Sequence, residues 1–131
     1  MRNQTSAFSY TNYVPIGCGT FGTVYKAKCE QTNETVAIKR VFQDVRYKNR
    51  ELQILQELDH INVIKIKNHF YTLGKTKSNE KYLNVVMDYF PESLAHIIKS
   101  YTNNSKHKLS SLDIKLYAYQ MLHGLYYLEC I

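Results

Sequence analysis

Residues 16–39 open with Ile16-Gly17-Cys18-Gly19-Thr20-Phe21-Gly22-Thr23-Val24 and close with Val36-Ala37-Ile38-Lys39. The first run has the pattern G-x-G-x-x-G-x-V, whose chemistry is that of the backbone. Without Cβ atoms a turn can lie close to a phosphate chain and point N–H groups at its oxygens. Phe21 at the tip could cover those phosphates from water. The G-x-G-x-x-G spacing is shared with the dinucleotide-binding fingerprint, where a helix follows the glycines and receives the pyrophosphate at its N-terminus. Here Thr23-Val24-Tyr25-Lys26-Ala27 follows, which is strand. A Walker loop is excluded because Thr23 follows Gly22 where G-K-[ST] is required. For the loop alone, an ordinary glycine-containing hairpin remains the alternative.

The second run changes that balance. Lys39 stands inside an apolar strand just after the glycine hairpin, in a V-A-I-K arrangement. A lysine among apolar neighbours needs an anion, because Lys is almost never buried unpaired. Glu51 falls on the same helical face as Leu55 and Leu58, so it offers a carboxylate on an apolar stripe. A Lys39–Glu51 pair would hold the ammonium against a nucleotide's α- and β-phosphates. The bland alternative is a solvated Glu51 bordering the stripe.

Outward from these runs, residues 13–17, 23–28 and 35–41 read as a meander of three antiparallel strands, rich in Val, Ile, Thr and Tyr. Residues 47–58 show a helical period, and 63–70 and 81–88 read as a second hairpin around the polar tip at 74–79. Pro91 suits a first helical turn, so 93–101 is expected to be helical. A last long helix starts near Ser110, capped with Asp113, and carries Ile114, Ala118, Met121, Leu125 and Leu128 as an apolar stripe. The expected class is α+β: a five-stranded antiparallel sheet with one helix over residues 1–90, then the first two helices of a helical domain over 91–131. An apolar stripe of that length needs a partner surface, so the chain reads as a fragment or truncated product.

Composition is that of an ordinary globular chain: 131 residues, 44% hydrophobic and 21% charged. The net charge of +6 is spread along the sequence and does not single out an acidic partner. Cys18, Cys29 and Cys130 have no metal-ligand spacing and are odd in number, which points to a reducing, intracellular setting, cytoplasm or nucleus. Nothing resembles a signal region, a membrane span or a myristoylation site, so no membrane partner is expected. Nucleic acid is not expected either, since the Gly-Thr-Phe-Gly run lacks the basic start and paired aromatics of an RNA-binding segment.

With the glycine loop, Lys39 and Glu51 in register, residues 13–131 resemble a eukaryotic protein kinase. The runs Lys48-Asn49-Arg50-Glu51-Leu52-Gln53-Ile54, Leu58-Asp59-His60, Tyr82-Leu83-Asn84-Val85-Val86-Met87-Asp88-Tyr89 and Lys115-Leu116-Tyr117-Ala118-Tyr119-Gln120 resemble the glycogen synthase kinase 3 (shaggy) family of serine/threonine kinases. The resemblance implies that Ile16, Val24 and Ala37 enclose an adenine, with Met87 as gatekeeper and Asp88-Tyr89-Phe90 as hinge. Backbone groups of Asp88 and Phe90 would pair with the adenine edge. The loop from Gly17 through Cys18, Gly19, Thr20, Phe21, Gly22 and Thr23 would hold the phosphates of ATP. Members of that family often have Leu where Met87 stands, so the back pocket would differ in shape. Arg50 stands where the family binds a phosphate already present on its substrate, a task that suits a bidentate guanidinium. Its alternative is a solvated surface arginine. Cys18 is either a small residue filling an x position or a reactive thiol near the phosphates.

The resemblance also implies protein substrates and a magnesium ion. No H-R-D-x-x-x-x-N, D-F-G or A-P-E occurs, so the catalytic base, the magnesium ligands and the activation segment are expected to lie outside this chain, which is not expected to catalyse alone. His60 and His123 cannot substitute, since neither is followed by Arg-Asp. The competing reading is a non-catalytic truncated lobe acting as a binding or decoy module.

Overall fold

The computed structural model describes residues 7–44, 50–75, 80–103 and 108–131. Five strands form one antiparallel sheet: β1 (Tyr10–Gly19), β2 (Gly22–Cys29), β3 (Thr35–Gln43), β4 (Ile66–Leu73) and β5 (Lys81–Asp88). Three helices accompany them: α1 (Glu51–Glu57), α2 (Leu94–Asn103) and α3 (Ser111–Cys130). The α+β expectation of a five-stranded sheet with one helix and two later helices is therefore met. The strands run in the order β1-β2-β3-β5-β4, which makes β3 and β5 central.

The chain divides into two compact units, one containing the sheet and α1, the other containing residues 58–64 together with α2 and α3. The core of the first unit lies where its central strands cross, with Ile38, Leu83, Val85 and Val86 essentially inaccessible. Each such side chain contributes about 1.5–3 kcal/mol on burial. β5 is buried on both faces, which explains why Leu83-Asn84-Val85-Val86 reads as a run rather than an alternation. Its polar member, Asn84, donates to the Thr72 hydroxyl at 3.0 Å and the Phe70 carbonyl at 3.3 Å, and so is not stranded in the interior. On one face Ala27, Val36, Ile38 and Val86 pack together under a stacked Tyr10–Phe70 pair, with ring centroids 5.6 Å apart.

β1 is an edge strand, which is where a proline such as Pro15 is tolerated. It departs from regular register twice, between Thr11 and Val14 and between Pro15 and Gly17. Asn12, at φ 56°, takes up the first irregularity in the left-handed region that Asn enters more readily than most residues.

Several expected boundaries shift. The helix expected over 47–58 is helical from Glu51 to Glu57, and the start expected at 47–49 lies outside the described residues. Leu58 is off the helix, buried in the second unit. The fourth strand begins at Ile66 rather than Val63 because the preceding segment turns on itself: the Asn62 N–H donates to His60 Nδ1 and the Val63 N–H to the His60 carbonyl. Pro91 precedes α2 rather than opening it, since the Ser93 hydroxyl caps the helix by accepting from the His96 N–H.

The Ser110–Asp113 capping box of α3 forms with both reciprocal bonds. The expected stripe does not bear the helix's packing, however. Ile114, Met121, Leu125 and Leu128 are exposed, and the buried position is Gly124, with Tyr127 half-buried beside it. α3 is apolar on most sides, so periodicity could not choose a face. The segment 58–64 chooses instead: His60 stacks on Tyr127, the Asp59 N–H donates to the Tyr127 hydroxyl at 2.9 Å, and His123 Nδ1 lies 3.3 Å from Asn62 Oδ1.

Asn62 also approaches Gly124 so closely that a Cβ there would lie 2.9 Å from the Asn62 carbonyl oxygen. Gly124→Ala is expected to lower the thermal midpoint followed by circular dichroism. Alanine is the better helix former by about 1 kcal/mol, but forcing a methyl into a closed contact costs about 1–3 kcal/mol. A raised midpoint would mean that the loop is free to withdraw from the helix.

Candidate functional site

Directly opposed residues of an antiparallel pair lie on the same face of the sheet. Lys39 pairs with Val24 on β2 and with Val85 on β5, and Ala37 pairs with Lys26 and with Met87. Val24, Lys26, Ala37, Lys39, Val85 and Met87 therefore share one face, opposite the one bearing Ile38 and Val86. Val85, directly opposite Lys39 on β5, is fully buried, so the strand position of the lysine borders apolar surface.

Glu51, in the first turn of α1, supplies the anion: its Oε1 lies 2.5 Å from Lys39 Nζ. The helix start favours a carboxylate there, because its N-terminal N–H groups carry partial positive charge. Side-chain exposures of 29% and 32% leave the pair partly open to solvent. A pair so placed adds only about 0.2–1 kcal/mol to folding. What it fixes is the position of a cation that keeps free N–H donors.

The glycine turn closes β1 onto β2, with Gly19 opposite Gly22 and Thr20-Phe21 at the tip. Gly22 has φ 137° and its missing Cβ would lie 2.1 Å from the carbonyl oxygen of Arg40, so only glycine fits. Gly17 and Gly19 differ. A Cβ at Gly17 would make one ordinary contact and one at Gly19 would meet nothing within 4 Å. The fold does not require glycine at these two positions, and the space beside Gly19 is open. Phe21 projects at the tip, 78% exposed. Cys18 is an exposed free thiol, with the Thr23 hydroxyl donating weakly to its sulfur at 3.7 Å. Ile16 is exposed on β1, where the second register shift falls.

A sequence model of the protein kinase domain family matches residues 10–130. The chain belongs to the protein kinase family. Members of the family transfer a phosphoryl group from ATP to a protein and hold the nucleotide under a glycine-rich loop, with a β-strand lysine paired to a helix glutamate. The kinase's hinge expectation falls at the end of β5. Asp88 pairs with Val36, and its carboxylate is held by Lys67 at 3.0 Å; Lys67 also reaches Glu34 at 3.2 Å. Hydrogen bonds to these two carboxylates hold the Lys67 ammonium above its ordinary pKa, so it stays charged throughout the neutral range. Tyr89 lies under the Lys26 ammonium, 5.0 Å from its ring centre, whereas Phe90 belongs to the second unit. Arg50 is exposed, and its carbonyl accepts the first helical hydrogen bond of α1 from Ile54.

Among the described residues, no three His, Cys, Asp or Glu side chains converge as metal ligands, and no helix is long and apolar enough to cross a membrane. Sequence reasoning missed Val85 and Lys67. Val85 becomes relevant only through strand register, and Lys67 only through two carboxylates distant in the chain. The Pro15 irregularity had a signal, a proline within a strand pattern.

Gly22→Ala is expected to destabilise the kinase fold by at least about 2 kcal/mol through backbone strain and overlap. Gly19→Ala should leave stability within about 0.5 kcal/mol of the parent. Thermal unfolding of both variants distinguishes a glycine demanded by the fold from one that is not; equal losses would contradict this division.

Proposed function

We propose that this chain is the nucleotide-holding part of a serine/threonine protein kinase of the glycogen synthase kinase 3 (shaggy) type. Its reaction moves the γ-phosphoryl group of ATP, with Mg²⁺, to Ser or Thr hydroxyls of protein substrates, including substrates already phosphorylated. The observation that carries the reading is the Lys39–Glu51 ion pair, set on the same sheet face as Val24, Ala37 and Met87.

ATP fits these residues. The apolar side chains Val24, Ala37 and Met87 suit an adenine ring, with Asp88 and Tyr89 following at the strand end. Lys39 would meet the α- and β-phosphates while Glu51 holds it in place. The turn from Gly17 to Gly22 would lay its backbone along the phosphates, with open space where Gly19 lacks a side chain. Bound Mg²⁺ would neutralise phosphate charge. Arg50, exposed at the start of α1, would offer a bidentate fork to a phosphate carried by the substrate. Free Cys18, Cys29 and Cys130 suit a reducing compartment, cytoplasm or nucleus.

Phosphoryl transfer relies on positioning and charge neutralisation. The residues described here supply the half that positions the nucleotide.

Calorimetric titration with a non-hydrolysable ATP analogue and Mg²⁺ tests this. Lys39→Ala is expected to weaken binding about tenfold or more, equivalent to roughly 1.4 kcal/mol, while the thermal midpoint changes little because the ion pair is partly exposed. Equal affinity for the parent and the variant would remove Lys39 from the site.

A further inference from the structure

We propose that the face of the sheet opposite Lys39 carries a docking groove for an acidic peptide segment, organised by Arg40. Alternation along β3 sends Lys39 and Arg40 to opposite faces. The Arg40 guanidinium lies over the Tyr82 ring, 4.1 Å from its centre, and its Nε is buried with no hydrogen-bond partner. Two other cations of this sheet are ion-paired, Lys39 with Glu51 and Lys67 with Glu34 and Asp88. Among the described residues Arg40 makes no ion pair. The buried Nε is closed to molecules outside, so an acceptor entering the groove that Arg40 lines would meet the terminal amino groups of the guanidinium.

Arg40 opens onto a groove of about 390 Å³. Thr20 and Phe21 of the glycine turn form one wall, and Phe42 and Tyr82, edge-to-face at 5.5 Å, form another. Gly22 closes directly on the Arg40 carbonyl, so the turn is fixed to the floor of the groove and the walls are preformed. Phe21 and Phe42 present exposed rings beside a single cation. A guanidinium stacked on an aromatic ring keeps its in-plane donors available, and these fit the two oxygens of a carboxylate. One positive charge matches the single charge of a Glu or Asp side chain; a phosphate, with nearly two negative charges, calls for more than one cation. The aromatic walls suit apolar residues flanking the acid. The occupant so defined is a peptide segment alternating acidic and aromatic residues.

The test uses the full 131-residue chain and a dye-labelled, end-blocked hexapeptide of alternating phenylalanine and glutamate, read by fluorescence anisotropy. The same peptide with glutamine for glutamate is expected to bind at least about tenfold more weakly, a comparison that needs no variant. Arg40→Met should weaken the glutamate peptide to a similar extent, and Arg40→Lys, which keeps charge but not the fork, should also weaken it. Excess ATP should leave the peptide bound. Absence of binding by the glutamate peptide, equal binding of the two peptides, full affinity in Arg40→Met, or displacement by ATP would each overturn the proposal.

Discussion

A lysine ammonium on a central β-strand, beside a fully buried valine, constrains everything around it. Lys39 stands on β3 with Val85 directly opposite, and its charge needs a counter-charge from a different element. Glu51 supplies it from the first turn of α1, so the helix is tied to the sheet at one defined point. The pair contributes little to stability because solvent still reaches both groups. Its effect is positional. Lys39 is held on the same face as Val24, Ala37 and Met87, so its ammonium and these apolar side chains share one surface.

The glycine turn adds a second constraint of a different kind. Gly22 is required by the fold, since a side chain would collide with the Arg40 backbone. Gly17 and Gly19 are not, since a Cβ would make one ordinary contact at Gly17 and meet open space at Gly19. One short motif thus combines a glycine that closes the hairpin with two that the fold itself does not require. Because Lys39 and Arg40 are consecutive, the two faces of the sheet carry separate cations with separate chemistry.

Much of this could be read from the residues. The strands, their antiparallel meander and the Lys39–Glu51 partnership follow from local composition and from the rule that a lysine among apolar neighbours needs an anion. Boundaries were less legible where side chains from elsewhere decide them. The His60 ring accepts the Asn62 N–H and turns a segment that reads as strand. Leu58 has the right spacing for the helical stripe but is buried in the second unit. On α3, apolar residues occur on most sides, and the packed face is selected by Asn62 against Gly124 and by His60 against Tyr127, which no period encodes. At the candidate site, the residues with a motif were legible; Val85 and Lys67 were not, since their relevance lies in register and distant charge.

The proposed function requires that Lys39 face the bound nucleotide. The most direct measurement is reaction of the chain with an adenosine bearing a sulfonyl fluoride in place of its phosphates, followed by peptide mapping. Sulfonamide formation is expected at Lys39 ahead of the other lysines, with protection of Lys39 by ATP. Labelling spread evenly over the lysines, or labelling of Lys39 that ATP leaves unchanged, would contradict it.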